Sequence, residues 1–294
     1  MKTPLVSICC TTYNHEAFIK EALEGFVMQK TNFPYEIVIS DDCSKDRTRS
    51  VIAEYKAAYP DLFNDVSPDQ NMGAMANFQY VQKQSKGKYI AICEGDDYWI
   101  DPYKLQKQVD FLESHTEYVA CFHNVRVYDG SRYCLFNSVN ETHHPSTDDI
   151  IIRKWFIATP SLMYRNIIES YPEWSNNVLN GDYLLELLLA KEGKFYYMDD
   201  AMAVYRQQGQ GLSALLNTRK MEMYDKLIYL LASMKDVYGC ANSEAFDISI
   251  ANYKKAKAIC EKEYYYATHP MARIFRPKTY KRAIKRWLRK IVNR

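Results

Sequence analysis

The sequence of 294 residues lacks any run of 18 consecutive apolar residues, so it predicts no helix that spans a bilayer. Its first residues also lack the apolar stretch of a secretory signal peptide. None of the eight cysteines is spaced as Cys-x-x-Cys, and several lie within apolar, strand-like runs. We therefore expect reduced thiols that act as small hydrophobic side chains, which is typical of a protein in the reducing cytoplasm.

Acidic residues are missing from the last stretch of the sequence. Residues 273–294 contain ten lysines and arginines and no aspartate or glutamate, whereas the other 272 residues carry 28 basic and 36 acidic side chains. The acidic body disfavours a broad nucleic-acid-binding surface, so we expect no nucleic-acid partner, and the basic tail points to a surface partner of its own. Apolar residues make up 47% of the chain, which is enough for a sizeable core.

Strand-like and helix-like patterns alternate over the first hundred residues. Short apolar, β-branched runs predict strands at 5–10, 35–40 and 88–93, and apolar residues at helical spacing predict helices at 17–28, 48–59 and 104–113. This order favours an α/β fold, in which a parallel sheet carries helices on both faces.

The rest of the chain changes character twice. Strands are predicted at 118–124, 126–128 and 195–198, a helix at 182–190, and long helices from 212 to about 268. We therefore divide the chain into an α/β domain at 1–212, a helical extension at 213–272 and a basic amphipathic tail at 273–294.

Three polar clusters each follow a predicted strand directly, and open α/β sheets bind ligands at the carboxyl ends of their strands. In the cluster after the third strand, Glu94, Asp96 and Asp97 place three carboxylates within four residues. Such crowding is costly unless a cation neutralises it, and hard oxygen ligands suit Mg²⁺ or Mn²⁺ bound together with substrate phosphates. The alternative is an exposed acidic turn that caps the next helix.

The clusters after the first two strands, 11–16 and 41–48, also allow two interpretations. Ser44 or Asp46 could cap the helix that follows, and the first cluster could be a loop that leads into a helix. Paired aspartates at a strand end could also accept hydrogen bonds from a base or a ribose. The residues alone leave both interpretations open.

Taken together, the segments VSICCTTYN, EIVISDDCSKDRT and GKYIAICEGDDYW resemble, in this order and with these gaps, the family-2 inverting glycosyltransferases of GT-A fold. The family includes bacterial surface-polysaccharide glycosyltransferases, and the resemblance covers about residues 4–212. It implies a Rossmann-like, mostly parallel central sheet with flanking helices. It also implies a nucleotide-sugar donor, with a UDP-sugar favoured, and an acceptor hydroxyl.

The resemblance assigns residues to the nucleotide. Thr11, Tyr13 and Glu16 correspond to the nucleotide-binding lip after the first strand. Asp42, with Asp41 beside it, corresponds to the acid that hydrogen-bonds the uracil ring.

The resemblance also assigns the metal site. Asp96 and Asp97 match the metal-binding acidic motif, in which Glu94 stands at the position of the usual first aspartate. A Mn²⁺ or Mg²⁺ ion there would bridge the donor diphosphate and stabilise the departing nucleoside diphosphate.

An inverting transfer needs a base that takes the proton of the acceptor hydroxyl. The segment Asn180-Gly181-Asp182-Tyr183 resembles the family motif that supplies it, so Asp182 is the candidate base, with helix capping as its alternative. Arg206 lies in a stretch that resembles the loop over the diphosphate, where it could pair with phosphate. Residues 159–161 and Arg165 resemble the segment that lines the acceptor side.

The tail 273–294 repeats apolar residues at three- and four-residue spacing, with Trp287 as an aromatic anchor. This pattern is typical of a basic amphipathic helix that lies on an anionic membrane; a nucleic-acid arm or a helix packed on the body are its alternatives. Together with a glycan or lipid-linked acceptor, it predicts a peripheral protein on the cytoplasmic face of the cell membrane.

Two other functions stay open at this point. A nucleotidyltransferase also uses an α/β sheet and acidic metal ligands, but it normally has a glycine-rich, basic loop after its first strand, and CCTTYNHEAF has neither feature. A non-catalytic nucleotide-binding module of the same fold is disfavoured by the presence of Asp42, Asp96, Asp97 and Asp182.

Overall fold

The computed structural model describes residues 3–137, 142–152, 155–207 and 219–269. The chain divides into two compact units, Met1–Gly209 and Gln210–Arg294, and each is described by itself. The predicted domain boundary at residue 212 and the predicted tail at 273–294 lie outside the described residues.

One β-sheet organises the first unit. Its strands are β1 (Val6–Thr12), β2 (Tyr35–Asp41), β3 (Phe63–Asp65), β4 (Tyr89–Ile92), β5 (Tyr98–Trp99), β6 (Tyr118–Tyr128), β7 (Tyr133–Leu135), β8 (Met163–Arg165) and β9 (Lys194–Arg206). They are ordered β3-β2-β1-β4-β8-β6-β9-β5, and β7 pairs with β6.

Six helices accompany this sheet among the described residues of the first unit. They are α1 (Ile19–Val27), α2 (Thr48–Ala58), α3 (Ala74–Gln84), α4 (Lys104–Ser114), α5 (Thr147–Ile152) and α6 (Gly181–Glu192). In α1, the buried residues Ile19, Ala22, Leu23 and Phe26 recur at the spacing of one helical face, which explains why the segment forms a helix against the sheet.

The sheet changes direction at β4. Strands β3, β2, β1 and β4 are parallel, with Ile8 of β1 placed between Ile37 of β2 and Ala91 of β4. On the other side of β4, β8 runs antiparallel to both β4 and β6, whereas β6 and β9 are parallel. The predicted α/β fold is therefore confirmed, with its predicted parallel strands in the first hundred residues.

The structure differs from the sequence prediction in the second half. The strands predicted at 118–124 and 126–128 form one strand, β6, and the predicted strand at 195–198 extends over all of β9. The pairing of β6 with β9 shifts register at Asn124, whose buried side chain binds the backbone of Asn137. Such a bulge interrupts the apolar pattern without ending the strand. Several short elements in both halves of the chain were not predicted: helices α3 and α5 and strands β3, β5, β7 and β8.

The second unit contains a pair of helices, α7 (Lys220–Tyr238) and α8 (Ser243–Thr268), that pack along one another. Apolar side chains such as Leu230 and Met234 of α7 and Phe246 of α8 are fully buried. Tyr238 packs edge-on against Phe246 at the turn. This confirms long helices in the part of the predicted region that the structure describes. No helix among the described residues has the length and apolar character needed to cross a membrane.

All eight cysteines are free thiols, and four of them, Cys9, Cys10, Cys93 and Cys121, are buried. A more unusual buried group is Lys104, whose side chain is completely enclosed at the start of α4. Its Nζ donates a hydrogen bond to Gln108 Oε1 at 2.6 Å and lies 4.1 Å from the centre of the Trp99 ring. Burial lowers the pKa of Lys104 to about 7, although the neighbouring Cys93, Cys121 and Asp101 act in the opposite direction.

This buried amine should make stability depend on pH in the alkaline range. Between about pH 7 and pH 10.5 the unfolded chain binds a proton at Lys104 that the folded chain does not, so stability should rise with pH. Relative to Lys104→Met, we expect the wild-type free energy of unfolding to increase by about 1 kcal/mol for each pH unit within this window. Urea denaturation of both proteins at pH 7.5, 8.5 and 9.5 measures the difference.

Lys107→Met, on the same helix, is the matched control because Lys107 is partly exposed and pairs with Asp101 and Asp200. Its difference from the wild type should stay constant over this pH range. A constant difference for Lys104→Met as well would contradict the prediction.

Candidate functional site

The three predicted polar clusters meet at one edge of the sheet. Because β1 pairs in parallel with both β2 and β4, the carboxyl ends of these strands lie side by side. The backbone N–H of Gly95 donates to the carbonyl of Thr11 at 3.0 Å, and that of Asp42 donates to the carbonyl of Thr12 at 2.9 Å. We call residues 13–18 the first loop, 42–47 the second loop and 94–99 the acidic loop.

Glycine is needed at position 95 for this close approach. A Cβ atom at Gly95 would lie 2.5 Å from Thr12 Oγ1, well inside van der Waals contact. The acidic loop can therefore pack directly against the end of β1, which carries Thr11 and leads to Tyr13.

The acidic loop holds three carboxylates together. One oxygen from each of Glu94, Asp96 and Asp97 lies within 4.8 Å of the others. Asp97 is buried, and its Oδ1 accepts the backbone N–H of Arg206 at 2.8 Å. Its Oδ2 is also buried, and no described residue donates a hydrogen bond to it.

The electrostatics of this cluster are unfavourable without a cation. Burial, followed by the charge of Asp96, holds the pKa of Asp97 well above its usual range. Although part of Glu94 contacts solvent, loss of hydration raises its pKa to about 8, with further contributions from Asp96 and Asp182. Three hard oxygen ligands with a buried oxygen that lacks a donor fit a divalent cation such as Mg²⁺ or Mn²⁺.

Arg206, the last residue of β9, supports the acidic loop. Its guanidinium donates to the backbone carbonyl of Asp96 at 2.7 Å, pairs with Glu21 at 2.7 Å and lies 4.3 Å from the centre of the Tyr98 ring. The side chain is almost fully buried. These contacts hold the loop in place, and pairing with a phosphate would require the guanidinium to share or leave its contact with Glu21.

The carboxylates of Asp41 and Asp42 both accept hydrogen bonds from backbone N–H groups. The two carboxylate oxygens of Asp42 accept the N–H groups of Met72 and Gly73, at 2.6 and 2.9 Å, immediately before α3. Asp41 is buried and accepts hydrogen bonds from the backbone N–H and the hydroxyl of Ser44. Asp42 is buried, and since each carboxylate oxygen has two lone pairs, these bonds do not use all of its capacity to accept hydrogen bonds.

The first and second loops are joined to each other. Asn14 accepts the backbone N–H of Lys45 at 2.9 Å, and Glu16 accepts that of Arg47 at 2.8 Å. In return, the N–H of Glu16 donates to Asp46 at 3.1 Å. Glu16 therefore fastens two loops together, whereas Tyr13 projects to solvent with 41% of its surface exposed.

Sequence reasoning missed His15 in the first loop. Its Nε2 lies 3.9 Å from Asp96 Oδ2, and its Nδ1 is buried without a hydrogen-bond partner among the described residues. His15 lies in the polar cluster 11–16, and this position in the sequence could have indicated that it belongs to the site.

Asp182 lies in the first turn of α6, and its Oδ1 accepts the backbone N–H of Tyr183 at 2.8 Å. Its side chain is half-buried, and burial raises its pKa. The negative charge of Asp182 also raises the pKa of Glu94, after burial and the charge of Asp96. A carboxylate with a raised pKa at such a position is suited to accept a proton.

A second carboxyl group follows one turn later in the same helix. Glu186 is buried, and burial together with the charge of Asp182 holds its pKa well above the usual range. The start of α6 is also tightly packed, because a Cβ atom at Gly181 would lie 2.7 Å from the sulfur of Met75 in α3. Helix α6 thus brings Asp182 to the side of the site that α3 borders.

The segment predicted for the acceptor side is split by the structure. A 3-10 turn at Thr159–Ser161 lies beside the acidic loop, where Trp99 Nε1 donates to the carbonyl of Pro160 at 2.9 Å. Arg165 pairs with Tyr89 at the opposite end of β4 and lines a cavity of about 710 Å³ there, away from the acidic loop.

Sequence comparison places these features in a family. A model described as "Glycosyl transferase family 2" matches residues 7–167. An uncharacterised protein of Mycobacterium tuberculosis is 42% identical over 219 residues, which cover 73% of this chain and 63% of that protein. TuaG of Bacillus subtilis, named as a putative teichuronic acid biosynthesis glycosyltransferase, is 25% identical over 72% of this chain and 82% of its own. The chain thus spans less than two thirds of the mycobacterial relative.

Solved structures show the same fold. TarS 1–349 of S. aureus, in complex with UDP, has a TM-score of 0.61 and 18% identity over 83% of this chain and 69% of its own. The mannosyltransferase PcManGT of Pyrobaculum calidifontis, in complex with GDP-Man and Mn²⁺, has a TM-score of 0.57 and 17% identity over 96% of this chain and 83% of its own. This likeness confirms the predicted GT-A fold.

Proposed function

The chain belongs to glycosyl transferase family 2, and we propose that it transfers one sugar from a nucleotide-sugar donor to an acceptor hydroxyl with inversion at the anomeric carbon. The observation that carries this proposal is the cluster of three carboxylates in the acidic loop, which suits a metal–diphosphate in a chain of this family. Asp182 is a separate carboxylate whose pKa is raised by burial, and its charge contributes to the raised pKa of Glu94.

The donor occupies the loops after β1 and β2 in this proposal. Thr11, Tyr13 and Glu16 form one wall, and Asp42, with Asp41 beside it, faces the base. The hydrogen bonds between the two loops support this assignment, because a pocket that is organised before binding loses less conformational entropy when the nucleotide enters. We propose a UDP-sugar, in keeping with the UDP complex of the structurally similar TarS.

A Mg²⁺ or Mn²⁺ ion would be held by Glu94, Asp96 and Asp97, and it would supply positive charge to the departing nucleoside diphosphate. Arg206 keeps this loop in position through the Asp96 carbonyl and the Asp97 carboxylate. His15 borders the same carboxylates from the first loop.

Asp182 takes the acceptor proton in the proposed reaction. The acceptor oxygen forms a bond to the anomeric carbon as the bond from that carbon to the diphosphate oxygen breaks, and the hydroxyl proton passes to the Asp182 carboxylate. The bonding electrons leave with the nucleoside diphosphate. Burial of Asp182 raises its proton affinity, which favours this transfer.

We further propose a glycan or lipid-linked acceptor in cell-surface polysaccharide synthesis, and peripheral contact with the inner face of the cell membrane through residues 273–294. The acceptor class is supported by the name of TuaG, and the membrane contact by the ten basic residues and Trp287 in that segment.

Nucleotide binding should depend on the acidic loop. We expect wild-type protein to bind UDP in the presence of Mn²⁺ and to lose at least about tenfold in affinity when EDTA removes the ion. Asp97→Asn should remove this dependence, because the amide no longer offers a negative oxygen at the buried position. Isothermal titration with UDP, with and without Mn²⁺, measures both effects.

Asp110→Asn is the control, since Asp110 lies on α4 and bonds Gln106. It should retain the full response to Mn²⁺. Equal UDP affinity of the wild type with and without the chelator would overturn the metal assignment.

The role of Asp182 is tested by Asp182→Asn. This variant should bind donor almost as well as the wild type but lose about 10²- to 10⁴-fold in transfer rate, because the amide cannot accept the proton. A panel of UDP- and GDP-sugars with glycoside acceptors, followed by release of nucleoside diphosphate, gives the rates. Asp149→Asn, in the first turn of α5, controls for the loss of a negative charge at a helix start. Turnover of Asp182→Asn within a few-fold of the wild type would show that Asp182 only stabilises its helix.

Membrane contact is tested by deleting residues 273–294. The full-length protein should sediment with anionic vesicles and be released by high salt, because each basic residue contributes about 1 kcal/mol near such a surface and exposed charges are screened. The truncated protein should stay in solution and keep its turnover on a soluble acceptor. If it sediments as well as the full-length chain, the membrane proposal is wrong.

A further inference from the structure

A buried cluster of polar and aromatic side chains begins at the last residue of the acidic loop, and none of these side chains has a role in the reaction described above. It consists of Trp99, Lys104, Gln108 and Ser161, each at most 2% exposed. Lys104 is at its centre, with Nζ 2.6 Å from Gln108 Oε1 and 4.1 Å from the centre of the Trp99 ring.

The Gln108 amide is held between Lys104 and two carbonyls. Its Nε2 donates to the carbonyl of Ser161 at 2.9 Å and to that of Cys121 at 3.2 Å, and a carbonyl can only accept. Oε1 therefore faces the other way, where it accepts the hydrogen of Lys104 Nζ.

The side chain of Trp99 contacts the same lysine. Lys104 faces one surface of the indole, Phe26 packs against it edge-on with ring centres 5.0 Å apart, and the indole N–H donates to the Pro160 carbonyl at 2.9 Å. The backbone of Trp99 lies two residues after Asp97 and pairs with Ala203 of β9. Trp99 therefore joins the end of the acidic loop to Pro160.

Two neighbouring carbonyls of the turn Thr159–Ser161 are thus bound by two side chains that both contact one lysine. We propose that Lys104 is a positioning residue, which fixes the turn Thr159–Ser161 against the acidic loop through Gln108 and Trp99. The catalytic consequence rests on the proposed function: the turn would border the acceptor, and its distance from the carboxylates would set the alignment of the acceptor hydroxyl. Small errors in such alignment have large effects on rate.

The choice of residue supports a role beyond filling space. A buried amine is costly compared with an apolar side chain of similar volume, and methionine would fill the same space without that cost. The hydrogen bond to Gln108 and the contact with Trp99 are what lysine adds at this position.

Lys104→Met tests the proposal with two readouts. Hydrogen exchange followed by mass spectrometry should show amides of residues 158–163 exchanging about tenfold faster or more than in the wild type, because the turn loses an oriented partner. In kinetics, the rate of donor hydrolysis by water should stay within about threefold of wild type. KM for a glycoside acceptor should rise about tenfold, because only the turn that borders the acceptor would be displaced.

Matched variants separate positioning from general damage. Lys107→Met, the same substitution on the exposed side of α4, should change neither readout. Gln108→Met should reproduce both effects, and the effect of the double variant should be smaller than the two single effects combined, because Lys104 acts in part through Gln108. If Lys104→Met does not fold, Gln108→Met carries the test.

The outcomes distinguish this proposal from the proposed function. Unchanged exchange at 158–163 in Lys104→Met or Gln108→Met would overturn the positioning role whatever the enzyme does. An equal fall in donor hydrolysis and transfer, together with a lower melting temperature, would also overturn it and show a purely structural role. Absence of transfer by the wild type would instead contradict the proposed function, and the exchange experiment would still decide the positioning role.

Discussion

The crowding of negative charge at the end of β4 is the constraint on which the rest of the site depends. Asp97 is buried with one oxygen that no described donor satisfies, and Glu94 and Asp96 add charge within a few ångströms. An arrangement of this kind is unfavourable by itself and is retained only where its surroundings hold it in place. Arg206 provides that support with three contacts, to Asp97, to the Asp96 carbonyl and to Glu21. The same crowding is the reason why the three carboxylates could hold a divalent cation.

The placement of the clusters could be predicted from the sequence because it depends on local patterns. Short β-branched runs fix strands, and parallel strands end at one edge, so Thr11, Asp42 and Asp97 had to lie near each other. The resemblance to a family then supplied Asp182, which is remote in sequence and which no local pattern would have connected with Glu94. The GT-A fold and the family followed from three segments that are weak singly and specific together.

What could not be predicted depends on contacts between distant residues. Arg206 of β9 pairs with Glu21 of α1, and the N–H groups of Met72 and Gly73, just before α3, bind Asp42 after β2. Neither contact produces a periodic pattern in the sequence. Helix α3 has a weak apolar pattern, since few of its residues, such as Val81, are buried. The burial of Lys104 could not be predicted either, because a lysine at the start of a helix is usually exposed. The packing of α4 against β6 encloses it.

The change of strand direction beside β4 explains how the site acquires its second half. Because β8 is antiparallel to β4, Met163 at the start of β8 pairs with Ala91 near the end of β4. Residues just before β8, the turn Thr159–Ser161, must therefore lie next to residues just after β4, the acidic loop. A parallel β8 would have carried this turn to the opposite edge of the sheet, where Arg165 now lies. The antiparallel pairing brings the two segments together, and the buried bonds from Trp99 and Gln108 then fix their separation.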